Sequence, residues 1–318
     1  MTSLLDRLGI ELPVVQAGMG GGLAGPELAA AVSESGGLGT LGMLGAQPLD
    51  VELAEARRAT GKPVAVNLLL PFARAAHWEA VRGADVVVTF WGRPERRVPG
   101  IWIHQCGSVP EALAARAAGA DAVIAQGVEA GGHVRGTEKA VNLLERFRAE
   151  LGDFPVLTAG GVATAADVKG RLAAGADAVV SGTRFLMSDE SGAHEEYKRR
   201  LIAADETVLT ELFGAGWPAP HRVIGNEATE RWLRGDQRGP GWLRAANRIT
   251  APALSRVPPG VQGRLARNQK AAMPLLGPAA ATAGQDNLIE AGPLYAGESV
   301  ARIDDIRPAA ELVSSLTP

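Results

Sequence analysis

The sequence contains very little cysteine and few aromatic residues, and both shortages limit what the protein can be. A single cysteine, Cys106, stands among 318 residues, so no intrachain disulfide can form. That shortage is typical of a reducing compartment, and we therefore expect a cytoplasmic protein. Aromatic residues make up only 4% of the chain. Alanine, valine, leucine and glycine must therefore fill most of its core.

Long hydrophobic runs and a strong net charge are also missing. No apolar stretch approaches the roughly 20 residues that cross a bilayer. The first residues lack the basic segment and apolar run of a signal peptide. The formal net charge of −3 does not favour binding to nucleic acid or to acidic membranes, which attract strongly basic proteins. We therefore expect neither as a partner, and the sequence leaves a homodimer open.

Several familiar catalytic signatures are missing as well. The five histidines show no metal-ligand spacing such as H-E-x-x-H, and the sequence has no P-loop. It also has no G-x-S-x-G nucleophile elbow. Cys106 lies beside a predicted buried strand, where an inert core thiol is the simplest interpretation. No metal site is predicted.

What the sequence does contain is a regular alternation of short apolar runs and helix-like segments. The runs are rich in Val, Ile and Leu and scarcely alternate with polar residues, which is typical of strands buried on both faces. The predicted strands are residues 13–17, 38–41, 64–69, 85–90, 101–105, 122–126, 155–159 and 178–181. The predicted helices between them include residues 26–35, 48–60, 110–118, 141–151 and 165–174.

A five-residue fragment supports a repeated β/α unit. Gly-Ala-Asp followed by Ala or Val and then Val begins at Gly83, Gly119 and Gly175, and each copy combines a helix end with a strand start. Eight strands with alternating helices predict an α/β protein with a (β/α)8 TIM barrel. A doubly wound sheet is the alternative, but the strand count and the loops described below favour the barrel.

The pattern changes in the last third of the chain. Residues 211–285 are rich in Trp, Pro, Arg and Gly and show no strand rhythm. We predict that residues 1–205 and 286–318 form the barrel. Residues 206–285 are then expected to form a mainly helical segment that serves as a lid or shapes the substrate pocket. Residues 287–316 are expected to return and pack on the barrel.

Active sites of such barrels lie at the carboxyl ends of the strands, so the residues after each strand are site candidates. After the first strand, Gly20, Gly22 and Gly25 match G-x-G-x-x-G. The acidic residue that a dinucleotide site needs about 20 residues later is missing. A loop that lets a flat ring lie against the backbone is therefore the favoured interpretation.

Polar residues interrupt or follow two apolar strands. Asn67 lies within an apolar run, and a buried amide there needs a partner, which is either the protein backbone or a ligand. Gln126 ends the sixth strand and is followed by Gly131, Gly132 and His133. Histidine exchanges protons near neutral pH. Loop position alone leaves open whether His133 is catalytic, caps the next helix or is simply exposed.

Glycine turns follow the seventh and eighth strands. They contain Gly160 and Gly161 in one loop and Ser181, Gly182 and Thr183 in the other. Barrels frequently bind phosphate in these two loops, where backbone amides and a hydroxyl can act as donors. The pair predicts a cofactor with a phosphate tail without identifying it, and two turns without any ligand are the alternative.

On these motifs the chain resembles the nitronate monooxygenase family, once called 2-nitropropane dioxygenases. The most specific part is Glu-Ala-Gly-Gly-His at residues 129–133. The resemblance extends well over about residues 10–205 and loosely beyond. The other matching segments are residues 13–22 with 36–39, 66–67, 125–128, and 159–161 with 182–185.

The resemblance implies a TIM barrel that binds FMN non-covalently, with His133 as the catalytic histidine. The implied ring and ribityl contacts are Met19, Asn67, Gln126 and Gly131. The implied phosphate contacts are Gly160, Gly161, Gly182 and Thr183, to which we add the neighbouring Ser181. One departure is Gln105, which stands where many relatives carry a lysine.

The function expected from this resemblance is the oxidation of alkyl nitronates by O2 to a carbonyl compound and nitrite. His133 would orient the nitronate or remove the α-proton of a nitroalkane. The alternative is an NAD(P)H-dependent enoyl-thioester reductase or a related biosynthetic flavin oxidoreductase. A phosphate-sugar isomerase or a non-catalytic binding barrel would use the same phosphate loops.

Overall fold

A computed structural model describes residues 3–44, 47–257 and 259–318. Contacts divide the chain into two compact units. The first consists of Met1–Ala130, Arg135–Gly192 and Asp305–Pro318, and the second of Gly131–Val134 and Ala193–Asp304. The role of residues 206–285 as a substrate lid stays a prediction.

The described residues form short strands and helices in regular alternation. The strands are β1 (Val14–Gln16), β2 (Gly39–Leu41), β3 (Val64–Leu69), β4 (Val86–Phe90), β5 (Ile101–Cys106), β6 (Ala122–Gln126), β7 (Gly132–His133), β8 (Val156–Ala159), β9 (Ala178–Ser181), β10 (Val208–Thr210) and β11 (His221–Val223). The helices are α1 (Leu4–Leu8), α2 (Pro26–Glu34), α3 (Leu49–Ala59), α4 (Ala75–Ala80), α5 (Val109–Ala117), α6 (Ala140–Leu151), α7 (Ala165–Ala173), α8 (Thr183–Leu186), α9 (Glu195–Ile202), α10 (Glu227–Trp232), α11 (Gly241–Leu254), α12 (Pro259–Arg267), α13 (Asn287–Ala291) and α14 (Ala309–Leu316).

The first unit is a nearly closed barrel of eight parallel strands. Their order is β1-β9-β8-β6-β5-β4-β3-β2. The first and last strands of this order, β1 and β2, lie next to each other, because Val15 of β1 forms a parallel β-bridge with Leu38, which directly precedes β2. The Leu38 amide donates to the Val14 carbonyl, and the Gln16 amide donates to the Leu38 carbonyl. This closure confirms the (β/α)8 barrel and excludes the doubly wound sheet.

Apolar side chains, most of them aliphatic, pack on both faces of the barrel strands. Val15, Ile103 and Ile124 belong to an interior cluster, which Leu4 and Leu8 of α1 join. A second, larger cluster lies between the strands and the surrounding helices and includes Trp102, Phe147 and Val156. Burial on both faces is the reason why the strand sequences lack polar alternation.

The predicted elements of the barrel are confirmed to within about one residue. The strands at residues 64–69, 122–126 and 178–181 agree in full. Helix α14 packs on α2 and α7, whereas residues 287–304 of the segment expected to return belong to the second unit. No helix among the described residues has the length and apolar character needed to cross a membrane.

The segment of residues 206–285, which is expected to be mainly helical, contains strands β10 and β11 as well as helices α10, α11 and α12. Strand β11 pairs antiparallel with both β10 and β7, which makes a small three-stranded sheet in the second unit. Strands of two or three residues are too short to show a periodic pattern. Their partner β7 is also far away in the sequence, so no local signal marks them.

Gly39 offers a direct test of how α2 packs on the barrel. A Cβ atom at Gly39 would collide with the carbonyl oxygen of Ala29 in α2. Because backbone cannot yield cheaply there, we expect Gly39→Ala to lower the free energy of unfolding by about 3 kcal/mol in urea titrations. The matched control is Gly61→Ala, which meets no atom within 4 Å and should change stability by less than about 0.5 kcal/mol. Equal stability of both variants would contradict this packing.

Candidate functional site

Three carboxamide side chains line the inside of the barrel at the carboxyl ends of its strands. They are Asn67 on β3, Gln105 on β5 and Gln126 on β6. Residues paired in register on adjacent strands face the same side of a sheet. Their register partners all belong to the interior cluster: Val88, Ile124 and Ala159. The strands therefore present polar groups at the end of the barrel where ligands bind.

The glycine-rich loop after β1 is pressed against the ends of β2 and β3. A Cβ at Gly18 would collide with the Asn67 side chain, and a Cβ at Gly20 would lie 2.6 Å from the Met43 carbonyl oxygen. Close packing of the chain thus explains these glycines without a dinucleotide. The side chain of Met19 is partly buried and packs against the apolar cluster that contains Val14. This cluster lies on the outer face of the barrel strands, against the surrounding helices.

The two predicted phosphate loops are neighbours, because β8 and β9 are paired. Gly160 and Gly161 have φ values of +116° and +72°, a region that side chains rarely adopt. The Ser181 hydroxyl donates to the Val162 carbonyl at 3.1 Å, which ties the two loops together. A Cβ at Gly182 would meet its nearest atom only at 3.6 Å. The protein itself therefore leaves space at Gly182.

An ion pair that the sequence did not reveal supports these loops. Arg171 on α7 donates to the Gly160 carbonyl at 3.2 Å and to Glu129 at 3.4 Å. Both oxygens of Glu129 accept from the Ala140 amide, at 3.0 and 3.1 Å, where α6 begins. Glu129 is buried, so loss of either partner would leave an uncompensated charge. Glu129 thus joins three segments of the first unit.

These groups fit a flat cofactor with a phosphate tail. Carboxamides can donate to and accept from ring heteroatoms, and consecutive backbone amides in glycine turns bind anions. The Thr40 hydroxyl is buried and has no hydrogen-bond partner among the described residues. It faces the interior, because Thr40 is in register with Ala65 of the interior cluster. A buried hydroxyl of this kind is commonly satisfied by a ligand or water.

His133 lies in an aromatic cluster of the second unit. It stands opposite His221 in the pairing of β7 with β11. The Trp217 ring stacks on the His133 ring, with 3.7 Å between centroids and 22° between planes. The rings of His221 and Tyr295 each lie 5.5 Å from that of His133. His133 does not cap α6, because the amide of Ala140 at the start of that helix bonds to Glu129.

Burial keeps both histidines of this cluster neutral. It lowers the pKa of His133 well below the ordinary value of 6.5, and the neighbouring His221 lowers it further. Burial also lowers the pKa of His221 to about 4. The Nδ1 of His221 donates to the Ala219 carbonyl at 2.9 Å, and its Nε2 accepts from the Phe213 amide at 3.3 Å. Both bonds require the neutral ring with its proton on Nδ1.

Hydrogen bonds also fix Tyr295 of the cluster and Tyr197, which bonds to the Tyr295 backbone. The Tyr197 hydroxyl donates to the Tyr295 carbonyl at 2.5 Å, and the Tyr295 hydroxyl donates to the Pro278 carbonyl at 2.9 Å. Burial raises the pKa of both hydroxyl groups. Neither tyrosine is therefore set up to lose a proton near neutral pH.

The sequence located the barrel residues but missed the neighbours of His133. Gly131 has no room for a Cβ, since that atom would lie 2.5 Å from the Gly297 amide nitrogen. Trp217, His221 and Tyr295 come from segments with no motif and no predicted strand. Only the pairing of β7 with β11 and the packing of the second unit bring them to His133.

The neutral state of His221 predicts how stability depends on pH. The unfolded state binds more protons than the folded state between pH 6.5 and about 4, so stability falls as the pH falls through this window. His221 accounts for about 3 kcal/mol of this loss. His104, whose pKa burial also lowers to about 4, adds a second loss.

We therefore expect His221→Phe to reduce the difference in unfolding free energy between pH 7 and pH 4 by about 3 kcal/mol in urea titrations. The control is Phe213→Leu, which disturbs the same cluster without removing a titrating group and should keep the wild-type difference. An unchanged pH dependence in His221→Phe would show that this ring is not held neutral.

Comparison with known proteins agrees with this geometry. The family model for nitronate monooxygenase matches residues 1–87 and 93–318. A nitronate monooxygenase from Pseudomonas aeruginosa is 34% identical in an alignment of 271 positions that covers 66% of this chain and 77% of that protein. A Mycobacterium tuberculosis protein, (3aS,4S,5R,7aS)-5-hydroxy-7a-methyl-1-oxo-octahydro-1H-indene-4-carboxyl-CoA dehydrogenase, is 30% identical in an alignment of 341 positions that covers 99% of this chain and 94% of the relative.

Solved structures show the same similarity. FabK from Thermotoga maritima matches with a TM-score of 0.76 and 28% identity, over 98% of this chain and 94% of that chain. Nitroalkane oxidase from Streptomyces ansochromogenes matches with a TM-score of 0.75 and 29% identity, over 99% of this chain and 96% of that chain. The chain therefore belongs to the nitronate monooxygenase family, and it is an oxidoreductase of a flavoprotein family.

Proposed function

We propose that this protein binds FMN without a covalent bond and uses it to oxidise alkyl nitronates with O2, giving a carbonyl compound and nitrite. The observation that carries the proposal is the neutral, buried imidazole of His133 in its aromatic cluster. The nitronate monooxygenase and nitroalkane oxidase among the similar proteins support the choice of substrate class.

The barrel residues would hold the cofactor in the following way. Asn67 and Gln126 would bond to the ring with their amides, and Gly131 would lie close to the ring or ribityl chain. Because its side chain packs elsewhere, Met19 would contribute its backbone. The phosphate would bind to the loops that contain Gly160, Gly161, Ser181, Gly182 and Thr183, with Ser181 acting through its backbone since its hydroxyl is engaged.

FMN supplies the electron transfer to O2 when it is bound, and His133 would handle the proton and orient the substrate. A neutral imidazole has one nitrogen that accepts a proton and one that donates a hydrogen bond. A nitronate is already deprotonated, so it needs only the donated hydrogen bond. A neutral nitroalkane must first lose its α-proton, and it therefore needs His133 as a base.

Gln105 brings no positive charge to the carboxyl end of the barrel. It lies half-buried on the inner side of β5, where the resemblance leads one to expect a lysine. Its amide can donate a hydrogen bond but brings no positive charge. Binding of an anionic nitronate would therefore depend on hydrogen bonds rather than on a cation at this position.

Gly182 tests the phosphate site independently of catalysis. Its own surroundings tolerate a Cβ atom, which would lie 3.6 Å from the nearest atom, but a bound phosphate would not. We expect Gly182→Ala to leave the unfolding midpoint of the apoprotein unchanged and to raise the dissociation constant for FMN at least about tenfold, measured by fluorescence titration. Gly170→Ala on α7, which meets no atom within 4 Å, should keep the wild-type affinity. Wild-type affinity in Gly182→Ala would place the phosphate elsewhere.

His133→Asn tests the proposed proton transfer. We expect this variant to lose at least about a hundredfold in kcat/KM with neutral nitroethane, because a general base contributes about 10²–10⁴-fold. With ethyl nitronate the loss should stay within about tenfold, since no proton is removed. Oxygen consumption measures both rates, and His77→Asn in α4 is the control. Equal losses on both substrates would refute the base role.

A second candidate is the oxidoreduction of an acyl thioester. The Mycobacterium tuberculosis relative is named as a dehydrogenase of a carboxyl-CoA. Anaerobic absorbance of the flavin-loaded protein separates the two functions. Bleaching by ethyl nitronate but not by NADPH supports nitronate oxidation, whereas rapid bleaching by NADPH and reoxidation by an enoyl-CoA would replace it with thioester reduction.

A further inference from the structure

Trp217 covers the proposed catalytic histidine. Its ring stacks on the His133 ring at 3.7 Å between centroids. The Nε2 atom of His133 is buried, while Trp217 itself stays partly exposed. His221 and Tyr295 flank the same ring. A substrate that reaches His133 must therefore share space with the Trp217 indole or displace it.

His221 closes the loop that carries Trp217. The loop runs from residue 213 to residue 219, and the imidazole of His221 bonds to both of its ends. Its Nε2 accepts from the Phe213 amide at 3.3 Å, and its Nδ1 donates to the Ala219 carbonyl at 2.9 Å. The Trp217 amide in turn donates to the Gly214 carbonyl at 3.0 Å. One side chain thus holds the backbone on either side of the indole.

The backbone conformation inside this loop is also constrained. A Cβ at Gly214 would lie 2.9 Å from the Glu211 carbonyl oxygen. Gly216 has a φ of +85°, a conformation that favours glycine. A Cβ there would lie 3.5 Å from Leu254 at the end of α11. With these constraints and the two bonds of His221, the backbone places Trp217 in one position.

We propose that Trp217 is a specificity-determining residue of this enzyme and that His221 is the positioning residue that holds it. The indole limits the size of the substrate group that can reach His133, so small alkyl nitronates are accepted and branched or cyclic ones are excluded. This inference rests on the proposed role of His133. It goes further by naming the group that selects among nitronates.

Whether Trp217 shields His133 from reagents can be tested without any catalytic assay. Diethyl pyrocarbonate modifies accessible neutral imidazoles, and mass spectrometry of peptides gives the rate at each histidine. We expect His133 in the flavin-loaded protein to react at least about tenfold faster in Trp217→Ala than in wild type, with Trp217→Phe in between. The control Trp242→Ala removes an indole that is 58% exposed and should leave the rate unchanged. An equal rate in wild type and Trp217→Ala overturns the proposal.

Selectivity is tested with ethyl nitronate and cyclohexyl nitronate. We expect Trp217→Ala to raise the kcat/KM of the cyclic substrate relative to ethyl nitronate about tenfold or more, the range in which a pocket discriminates by size. Trp217→Phe should restore most of the wild-type preference. A preference that does not change in Trp217→Ala overturns the role in specificity, even if His133 becomes more reactive.

His221→Phe keeps an aromatic ring and removes both bonds to the loop. We expect faster modification of His133 and a KM for ethyl nitronate raised at least about threefold, while kcat stays within twofold because His133 is intact. FMN content and the circular dichroism spectrum confirm that the variant is folded. Unchanged labelling and KM would overturn the positioning role, as would a fall in kcat alone.

The two proposals fail in different ways. If wild type oxidises no nitronate, the proposed function is wrong and the specificity for nitronates falls with it. The labelling rates still decide whether Trp217 covers His133. If wild type oxidises nitronates but His133 labels equally fast with and without the indole, only the present inference is lost.

Discussion

Closure of the parallel barrel at Val15 and Leu38 is the constraint on which the rest of the first unit depends. It joins the two ends of the sheet, and the register of the paired strands decides which side chains face inward at the carboxyl ends. Asn67 and Gln126 are polar in strands that are otherwise apolar, and Gln105 follows His104 in β5. A shift of one residue in any of these strands would turn its amide toward the surrounding helices. The position of the candidate cofactor site is thus a consequence of strand pairing rather than of loop sequence.

The second unit depends on a different constraint, which is that His133 and His221 remain uncharged. His221 can bond to both ends of the Trp217 loop only as the neutral tautomer, because a second ring proton would face the Phe213 amide. The aromatic surroundings that exclude water enforce this state by disfavouring the cation. The same exclusion keeps His133 neutral, so the packing that holds the loop also sets the chemistry that His133 can perform.

Most of the barrel could be predicted from the sequence, whereas the surroundings of His133 could not. Runs such as residues 64–69 and 122–126 are buried on both faces, so their composition alone marks them as strands of a parallel sheet. The glycine turns at Gly160 and Gly182 could be placed because each directly follows such a run. His221 and Trp217, by contrast, reach His133 through strands of two or three residues, which are too short for a periodic pattern. Arg171 was missed because its partners are a backbone carbonyl and a carboxylate distant in the sequence.

The segment Glu-Ala-Gly-Gly-His at residues 129–133 shows why a short motif can be specific. Glu129 is needed because it bonds to the amide at the start of α6 and pairs with Arg171. Gly131 is needed because the chain at Gly297 leaves no room for a Cβ. His133 is placed by its pairing with His221. Each of these requirements comes from the protein itself, before any ligand is considered. The motif therefore indicates the fold around the histidine, while the choice of substrate must come from residues outside it, of which Trp217 is the nearest in contact with the ring.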